Sequence, residues 1–197
     1  MTLNDIISTS LTMLERGTDA QTIDHYRAQF TKYANDAVME ILSRVKQQRK
    51  EVLTKWADTE NADTRTKGVL NADNTFSVDT LTRDCIRVTA VQVDGKPVEY
   101  WQDAYGSGTF KVDTDKAEAV VSYRFVPKEM SSSTDVPELP AHMHRLIPYY
   151  VVACQRCGGD PATQGTSSAH FSIFNNMVRA LERETRGEPQ SFRLLNY

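Results

Sequence analysis

Cysteine is scarce in this sequence, with three residues in 197. An odd number cannot be paired completely within one chain, so a disulfide-stabilised fold is not indicated, and free thiols are typical of a reducing compartment. A chain of this length can bury a core without such cross-links. We therefore expect one globular domain, or one domain with a sizeable insertion.

Long apolar runs and a strong net charge are also missing. No run approaches the roughly 20 apolar residues that span a bilayer. The first residues, MTLNDIISTSLTML, lack the basic and continuously apolar regions of a secretory signal. The net charge is −3, which indicates no general affinity for nucleic acid or anionic membranes. We expect no membrane partner.

The sequence also lacks the common catalytic motifs, because GxSxG, Walker, HExxH and GxGxxG patterns do not occur. The stretch YGSG at Tyr105–Gly108 is typical of a hairpin tip rather than a phosphate site. Asp113 and Asp115 indicate a turn rather than a calcium site, since no glutamate follows at the loop distance. His25 lies beside the predicted stripe of the second helix and is expected at the surface or at the boundary of the core. The residues alone thus indicate no enzyme and no cofactor.

The first quarter of the chain has the apolar period of helices. Thr2 is a candidate N-cap with Asp5 three residues later, and Gly17 is a candidate end. A second helix is expected after Thr18 or Asp19. The predicted apolar stripes are Leu3, Ile6, Ile7, Ser10, Leu11 and Leu14 in the first helix, and Ile23, Tyr26, Phe30, Tyr33, Ala37, Ile41 and Val45 in the second.

The middle of the chain changes to the alternating pattern of strands. Asp94–Gly95 predicts a two-residue hairpin that pairs Val93 with Lys96 and places Val91 opposite Val98. A shift in the apolar phase near Thr89–Ala90 indicates a bulge or burial on both faces. Together these patterns predict a small antiparallel sheet inserted between helices.

The last third returns to helix. Pro127–Pro140 has the composition of a linker. A helix is expected from His142 to Cys157, then a break, GGDPATQGTSS, and a final helix with a stripe of Phe171, Phe174, Val178 and Leu181.

The stretch HMHRLIPYYVVACQRC, His142 to Cys157, raises the question of a zinc site. On a helix, His142 and His144 point about 200° apart, and His144 lies roughly 15 Å along the axis from Cys154. One zinc ion cannot reach all four side chains, although the cysteines could join outside ligands such as His170. A redox pair is disfavoured at a helix C-terminus, where the dipole raises a thiol pKa. We therefore predict that Cys154 and Cys157 are buried core thiols and that no metal is bound.

The order of the parts resembles the head-to-tail adaptors of tailed bacteriophages, also called connector, head-completion or gatekeeper proteins. The stretches that carry the resemblance are TIDHYRAQFTKYANDAVMEI, VQVDGKPVEY, YRFVPKEMSSSTDVPELPAHMHRLIPYYVVACQ and the short helix after GGDP. Pro148 departs from the pattern within its helix. The resemblance covers the chain as a layout more than as a signature.

The resemblance implies a fold class and a set of partners. The fold would be α+β, mainly α: a bundle of about four helices with an inserted small antiparallel β-sheet and an extended C-terminal arm. The expected divisions are residues 1–49 (helices), 50–126 (β insertion), 127–139 (linker), 140–186 (helices) and 187–197 (arm). Such proteins have no active site.

Adaptors of this kind form a ring, typically of twelve subunits, under the portal protein. The ring extends the DNA channel, through which the genome passes without specific binding, and offers a platform to a tail or nozzle protein. The chain would then be a virion protein assembled in the host cytoplasm. Its arm would dock on the portal through Phe192, Arg193, Leu194, Leu195 and Tyr197.

Two other functions fit the sequence. The chain could be a non-catalytic interaction module of another phage or cellular assembly, with the β insertion as its recognition surface. It could also be a zinc-dependent or redox enzyme built on His142–Cys157.

Overall fold

A computed structural model of the chain describes residues 1–55, 68–104, 106–157 and 161–186. The chain divides into a helical unit, Met1–Val45 with Lys128–Tyr197, and a β unit, Lys46–Pro127. The α-helices are α1 (Leu3–Met13), α2 (Ala20–Val45), α3 (Ile147–Arg156) and α4 (Pro161–Arg186). The strands are β1 (Arg49–Lys55), β2 (Val69–Leu70), β3 (Thr75–Ser77), β4 (Cys85–Val93), β5 (Lys96–Val98), β6 (Tyr100–Gln102), β7 (Thr109–Val112) and β8 (Glu118–Phe125).

Helix α1 begins with the predicted cap. The Thr2 hydroxyl accepts a hydrogen bond from the Asp5 amide, and the Asp5 carboxylate accepts one from the Thr2 amide. These two bonds satisfy amide groups that the first helical turn leaves free. The predicted stripe is buried from Leu3 to Leu11, and the buried Ser10 hydroxyl donates to the Ile6 carbonyl at 2.8 Å. The helix ends at Met13, earlier than Gly17.

Helix α2 follows Asp19, whose carboxylate accepts hydrogen bonds from the amide and hydroxyl of Thr22 at 3.0 and 2.7 Å. Its buried residues continue the predicted stripe from Phe30 onward: Phe30, Ala34, Ala37, Val38, Ile41, Leu42 and Val45. Near its end, the Arg44 guanidinium donates to Glu182 at 2.9 Å and to Asn175 at 2.7 Å. These bonds fasten the end of α2 to α4.

The segment before α3 is not one continuous α-helix. Ala141–Leu146 form a 3₁₀ helix, and α3 begins at Ile147 with Pro148 in its first turn. Proline is accepted there because the first-turn amides have no partner within the helix. Helix α4 begins at Pro161, so the region expected to be a break is helical from this residue onward.

The β unit contains two sheets. The five-stranded sheet has the order β2-β1-β8-β4-β5, and the three-stranded sheet has the order β3-β7-β6. Strands β1 and β8, by which the chain enters and leaves the unit, pair antiparallel with Arg49 opposite Tyr123. Strand β2 pairs parallel with β1. The chain passes from the first sheet to the second between β2 and β3, and again at Glu99, between β5 and β6.

One face of each sheet forms the core of the β unit. In the larger sheet, Leu53, Val91, Val121 and Tyr123 are almost fully buried. In the smaller sheet, Phe76 stacks on Phe110 with ring centroids 5.6 Å apart. The Tyr100 hydroxyl donates to the Val88 carbonyl at 3.4 Å and so links the two sheets.

The predicted hairpin and bulge are confirmed. Val93 pairs with Lys96 and Val91 with Val98, and Asp94 and Gly95 have φ of 51° and 76°. Positive φ at both positions is the requirement of the two-residue turn. The pairing of β4 with β8 shifts register between Val88 and Ala90, where the sequence indicated a bulge.

The predicted fold class is wrong. The described residues form four α-helices together with two sheets, one of them mixed, instead of a mainly helical bundle with one small antiparallel sheet. Two features of the β unit explain why the sequence did not predict the sheets correctly. Strand β2 has only two residues and carries no period, and β5–β6 reads as one strand although Glu99 divides it between sheets.

Within the described parts of the chain, no helix combines the length and apolar character that crossing a membrane requires.

Candidate functional site

The two histidines of the His142–Cys157 stretch have different surroundings. His144 is buried, with Nε2 2.8 Å from the Leu139 carbonyl oxygen and Nδ1 3.2 Å from the amino group of Met1. His142 is exposed on the 3₁₀ helix. Both ring nitrogens of His144 therefore already have protein partners, and this histidine serves to hold Leu139 rather than to present a free ligand.

The two cysteines also differ, and the prediction that both are core thiols is wrong for Cys157. Cys157 is exposed beyond the last turn of α3, whereas Cys154 is half-buried. Burial raises the pKa of Cys154 to about 11, with a further contribution from Cys157. Cys154 is thus a protonated thiol at neutral pH, which is a poor nucleophile. Among the described residues, no three His, Cys, Asp or Glu side chains are grouped so that they could hold a metal ion.

Tyr150, one turn before Cys154, packs against α4. Its ring centroid lies 5.1 Å from that of Phe174 and 5.7 Å from that of Phe171, both in edge-on geometry. Burial raises the Tyr150 pKa to about 12, so the hydroxyl stays neutral. The stretch that suggested zinc is therefore largely a packing surface between α3 and α4.

Residues 128–140, here called the strap, are bound to the helical unit by backbone contacts. The Asn35 side chain on α2 donates to the Met130 carbonyl at 3.1 Å and accepts from the Met130 amide at 2.9 Å. The carbonyls of Asp135 and Ser133 accept hydrogen bonds from the Leu3 and Asn4 amides at 2.8 and 3.0 Å. The strap thereby satisfies two further amides of the first turn of α1.

The strap also has internal order. The Asp135 carboxylate accepts hydrogen bonds from the amides of Ser131 and Ser132 at 2.8 and 2.7 Å. These bonds, with the Ser131 amide first, lower the Asp135 pKa. The Glu138 carboxylate accepts from the Lys128 amide at 3.0 Å. The segment that composition marks as a linker is thus a folded connection.

A groove of about 630 Å³ lies between α2 and the strap. Its walls carry two cations, Arg27 and Lys32, and three carboxylates, Asp24, Asp36 and Glu129. Arg27 and Asp24 already form an ion pair at 2.9 Å. Charges of both signs along an open groove suit polar contact with another chain.

A second groove, of about 450 Å³, lies at the turn between α1 and α2. There the Arg16 guanidinium lies 4.9 Å from the centroid of the Tyr26 ring and donates to the Tyr26 hydroxyl. His25, beside Tyr26, is exposed as predicted. Phe30 is fully buried, which confirms its predicted place in the helix core.

The β unit contains a hydrogen-bond cluster that the sequence did not suggest. The Glu51 carboxylate accepts from the Thr82 amide at 3.0 Å, the Thr82 hydroxyl at 2.8 Å and the Tyr123 hydroxyl at 2.9 Å. Burial, and secondly Glu51, raise the Tyr123 pKa to about 12. The cluster holds the loop before β4 on the sheet. In the sequence, Glu51 stands two residues before the core residue Leu53 on β1, so the alternation of the strand places both side chains on the same face.

The remaining predicted site residues are placed as follows. Asp113 and Asp115 lie in the turn before β8, as expected. Gly106–Gly108 precede β7, and Tyr105 lies outside the described residues. The predicted docking arm, with Phe192, Arg193, Leu194, Leu195 and Tyr197, also lies outside the described residues.

No protein-family model matches the chain, and no curated protein matches its sequence. A proposal for its function therefore depends on the order of its parts and on the surfaces that they present.

Proposed function

We propose that the chain is a structural virion protein of a tailed bacteriophage that forms a ring adaptor between the portal and the tail. The ring extends the DNA channel and provides the platform on which the tail assembles. The observation that carries the proposal is the order of parts. A helical unit made of Met1–Val45 and Lys128–Tyr197 is interrupted by the β unit Lys46–Pro127.

The contacts within the helical unit support this role, because they close the unit across the interruption. Arg44 reaches Glu182, and Asn35 reaches Met130. The strap caps α1 through its backbone carbonyls. Residues far apart in sequence thus hold the helices together, and the inserted β unit adds surfaces of its own. A ring subunit needs such surfaces for its neighbours above, below and beside it.

In this proposal the chain has no active site and binds no cofactor. DNA slides through the ring, and contacts to phosphates or bases would slow it. The net charge of −3 is consistent with weak attraction to DNA. The protein is assembled into particles in the host cytoplasm.

The proposed contact with the portal is made by residues 188–197. Phe192, Leu194, Leu195 and Tyr197 supply apolar anchors, and Arg193 supplies a polar one, which is a composition common in binding hot spots. Ten residues reach about 33 Å when extended. Repetition around a ring multiplies weak contacts into avidity.

The test is to mix the purified protein with the portal protein of the same phage and to examine the mixture by negative-stain electron microscopy. We expect a ring stacked on the portal. Deletion of residues 188–197 should abolish stacking while circular dichroism remains unchanged. Substitution of Ile173, an exposed α4 residue, by Ala is the matched control and should leave stacking intact.

Three results would contradict the proposal or part of it. A wild-type chain that does not bind the portal would favour an interaction module of another assembly. A deletion variant that binds the portal as tightly as the wild type would remove the arm from the mechanism. One stoichiometric zinc ion in the purified protein would favour the enzyme hypothesis.

A further inference from the structure

The five-stranded sheet has a second face, here called the outer face, that is not part of the β-unit core. Cross-strand register places Val52, Val120 and Gln92 in one row of this face, and Lys50, Ser122 and Ala90 in the next. Val52 is 54% exposed and Val120 is half-buried. The outer face therefore has an apolar centre that this unit's core does not use.

One end of the outer face is basic. Lys50 lies one row beyond Val52, and the following row places Arg87 of β4 directly opposite Arg124 of β8. Lys50 and Arg87 are exposed. Like charges directly opposite one another on neighbouring strands destabilise a sheet. We call Lys50 and Arg87 the basic row.

The other end of the same sheet is acidic. The turns before β5 and β8, the residue between β5 and β6 and the first residue of β8 bring together five exposed carboxylates, here called the acidic tip: Asp94, Glu99, Asp113, Asp115 and Glu118. The Asp113 amide donates to the Glu99 carbonyl at 3.0 Å, and Lys116 lies 3.9 Å from the Asp94 carboxylate. These contacts place the turns side by side. Lys96 and Lys116 offset only part of the negative charge.

The two charged ends are too far apart to neutralise each other within one subunit. Glu118 and Arg124 lie six residues apart on β8, which corresponds to about 20 Å along a strand. Charge interactions in solution decay over about 8–10 Å at physiological ionic strength. A partner that satisfies both ends must therefore present the opposite charge at each, and a second copy of the same chain does so.

We propose that the acidic tip of one subunit docks on the basic row and apolar centre of the outer face of the next subunit. Such a contact joins two different surfaces of identical chains, so it continues from copy to copy until a ring closes. Val52 and Val120 supply the apolar core of the interface, and the charges form its rim and fix its direction. This inference deepens the proposed adaptor function, on which it depends for the ring.

The test uses two charge-reversal variants of the full chain. Lys50→Glu/Arg87→Glu has an acidic outer face and an acidic tip, and Asp113→Lys/Asp115→Lys has both surfaces basic. Each variant alone should self-associate on the order of 100-fold more weakly than the wild type in sedimentation velocity at low salt. An equimolar mixture should assemble again, because each variant then meets a complementary surface.

The matched control is Arg145→Glu/Arg179→Glu, which makes the same change in net charge as Lys50→Glu/Arg87→Glu at exposed positions of the helical unit. This control should associate like the wild type. Wild-type association should weaken about tenfold between low and high salt, since its rim is ionic. Circular dichroism of every variant verifies that the chains are folded.

Several outcomes would overturn the inference. The first is a wild-type protein that is monomeric at low salt, both alone and with the portal. The second is a pair of variants that self-associate as tightly as the wild type. The third is an equimolar mixture of the two folded variants that does not associate. Portal binding, measured on the same samples, distinguishes failure of the proposed subunit interface from failure of the proposed adaptor function. Reversal variants that still form rings on the portal remove only the proposed interface. Salt-dependent assembly without portal binding removes only the adaptor role.

Discussion

The two units of this chain are closed in different ways. The β unit is one continuous segment, and β1 and β8, its first and last strands, pair with each other. The helical unit is made of two segments that the β unit separates in sequence. Its closure depends on contacts such as Asn35 with Met130 and Arg44 with Glu182. A unit made of one continuous segment can be held together by pairing of its own strands. A unit made of two segments needs specific contacts between those segments.

The β unit and the helical unit are therefore destabilised by different kinds of change. The β unit has several antiparallel ladders, so losing one contact leaves the others in place. In the helical unit the strap both caps α1 and binds α2. Loss of the strap removes two kinds of contact at once. We therefore expect the two units to have independent cores. We also expect substitution of a single polar residue to destabilise the helical unit more than the β unit.

The largest effects should come from a matched pair of core changes, Phe30→Ala in α2 and Phe76→Ala in β3. Both rings are fully buried, so each change should cost about 3–5 kcal/mol of unfolding free energy. If the units are independent, hydrogen exchange should lose protection in the mutated unit alone. Joint loss of protection in both units would contradict the comparison.

Two exposed residues provide the control for these changes. Met39→Ala in α2 and Val52→Ala in β1 remove side chains that are 44% and 54% exposed. Each should change the free energy of unfolding by no more than about 0.5 kcal/mol.

An intermediate effect is expected for Asn35→Ala in the helical unit. The change leaves the amide and the carbonyl of Met130 without their side-chain partner, at a cost of about 1–3 kcal/mol. Urea unfolding should measure this loss, and limited proteolysis should become faster at residues 131–135. Asn35→Asp retains the acceptor for the Met130 amide but loses the donor, so its loss should be smaller. Equal cleavage of the strap in wild type and Asn35→Ala would show that Asn35 does not hold it.

The smallest effect, and the one of opposite sign, is expected for Arg87→Glu in the β unit. Glutamate opposite Arg124 replaces a like-charge pair with an opposite-charge pair, which should stabilise the sheet by about 0.2–1 kcal/mol. Arg87→Gln removes the repulsion only and should stabilise less. Thermal unfolding of both variants measures the difference. A loss of stability in both would mean that Arg87 stabilises the isolated subunit.

Features set by neighbouring residues could be predicted from the sequence. The cap of Thr2 with Asp5 and the hairpin at Asp94–Gly95 depend on residues within a few positions of each other, and both are confirmed. The bulge between Val88 and Ala90 was visible as a change of apolar phase. In each case the local geometry permits few alternatives.

Features set by distant residues could not be predicted in the same way. The parallel pairing of the two-residue strand β2 with β1 has no period to reveal it. Cys157 continues an apolar stripe, yet α3 ends before it and leaves its side chain exposed. The strap has the composition of a linker, and its backbone contacts with α1 depend on tertiary structure. The identity of the partner that covers a surface is likewise not encoded in local pattern.

The interrupted layout of the helical unit has a consequence for synthesis. The β unit is complete once Pro127 has left the ribosome, but α1 and α2 lack the strap, α3 and α4 at that time. About 100 residues separate the end of α2 at Val45 from the start of α3 at Ile147, which at 5–20 residues per second corresponds to roughly 5–20 s. During this interval the apolar stripes of α1 and α2 are uncovered, so a nascent chain is most exposed to aggregation or chaperone capture while its β unit is already folding.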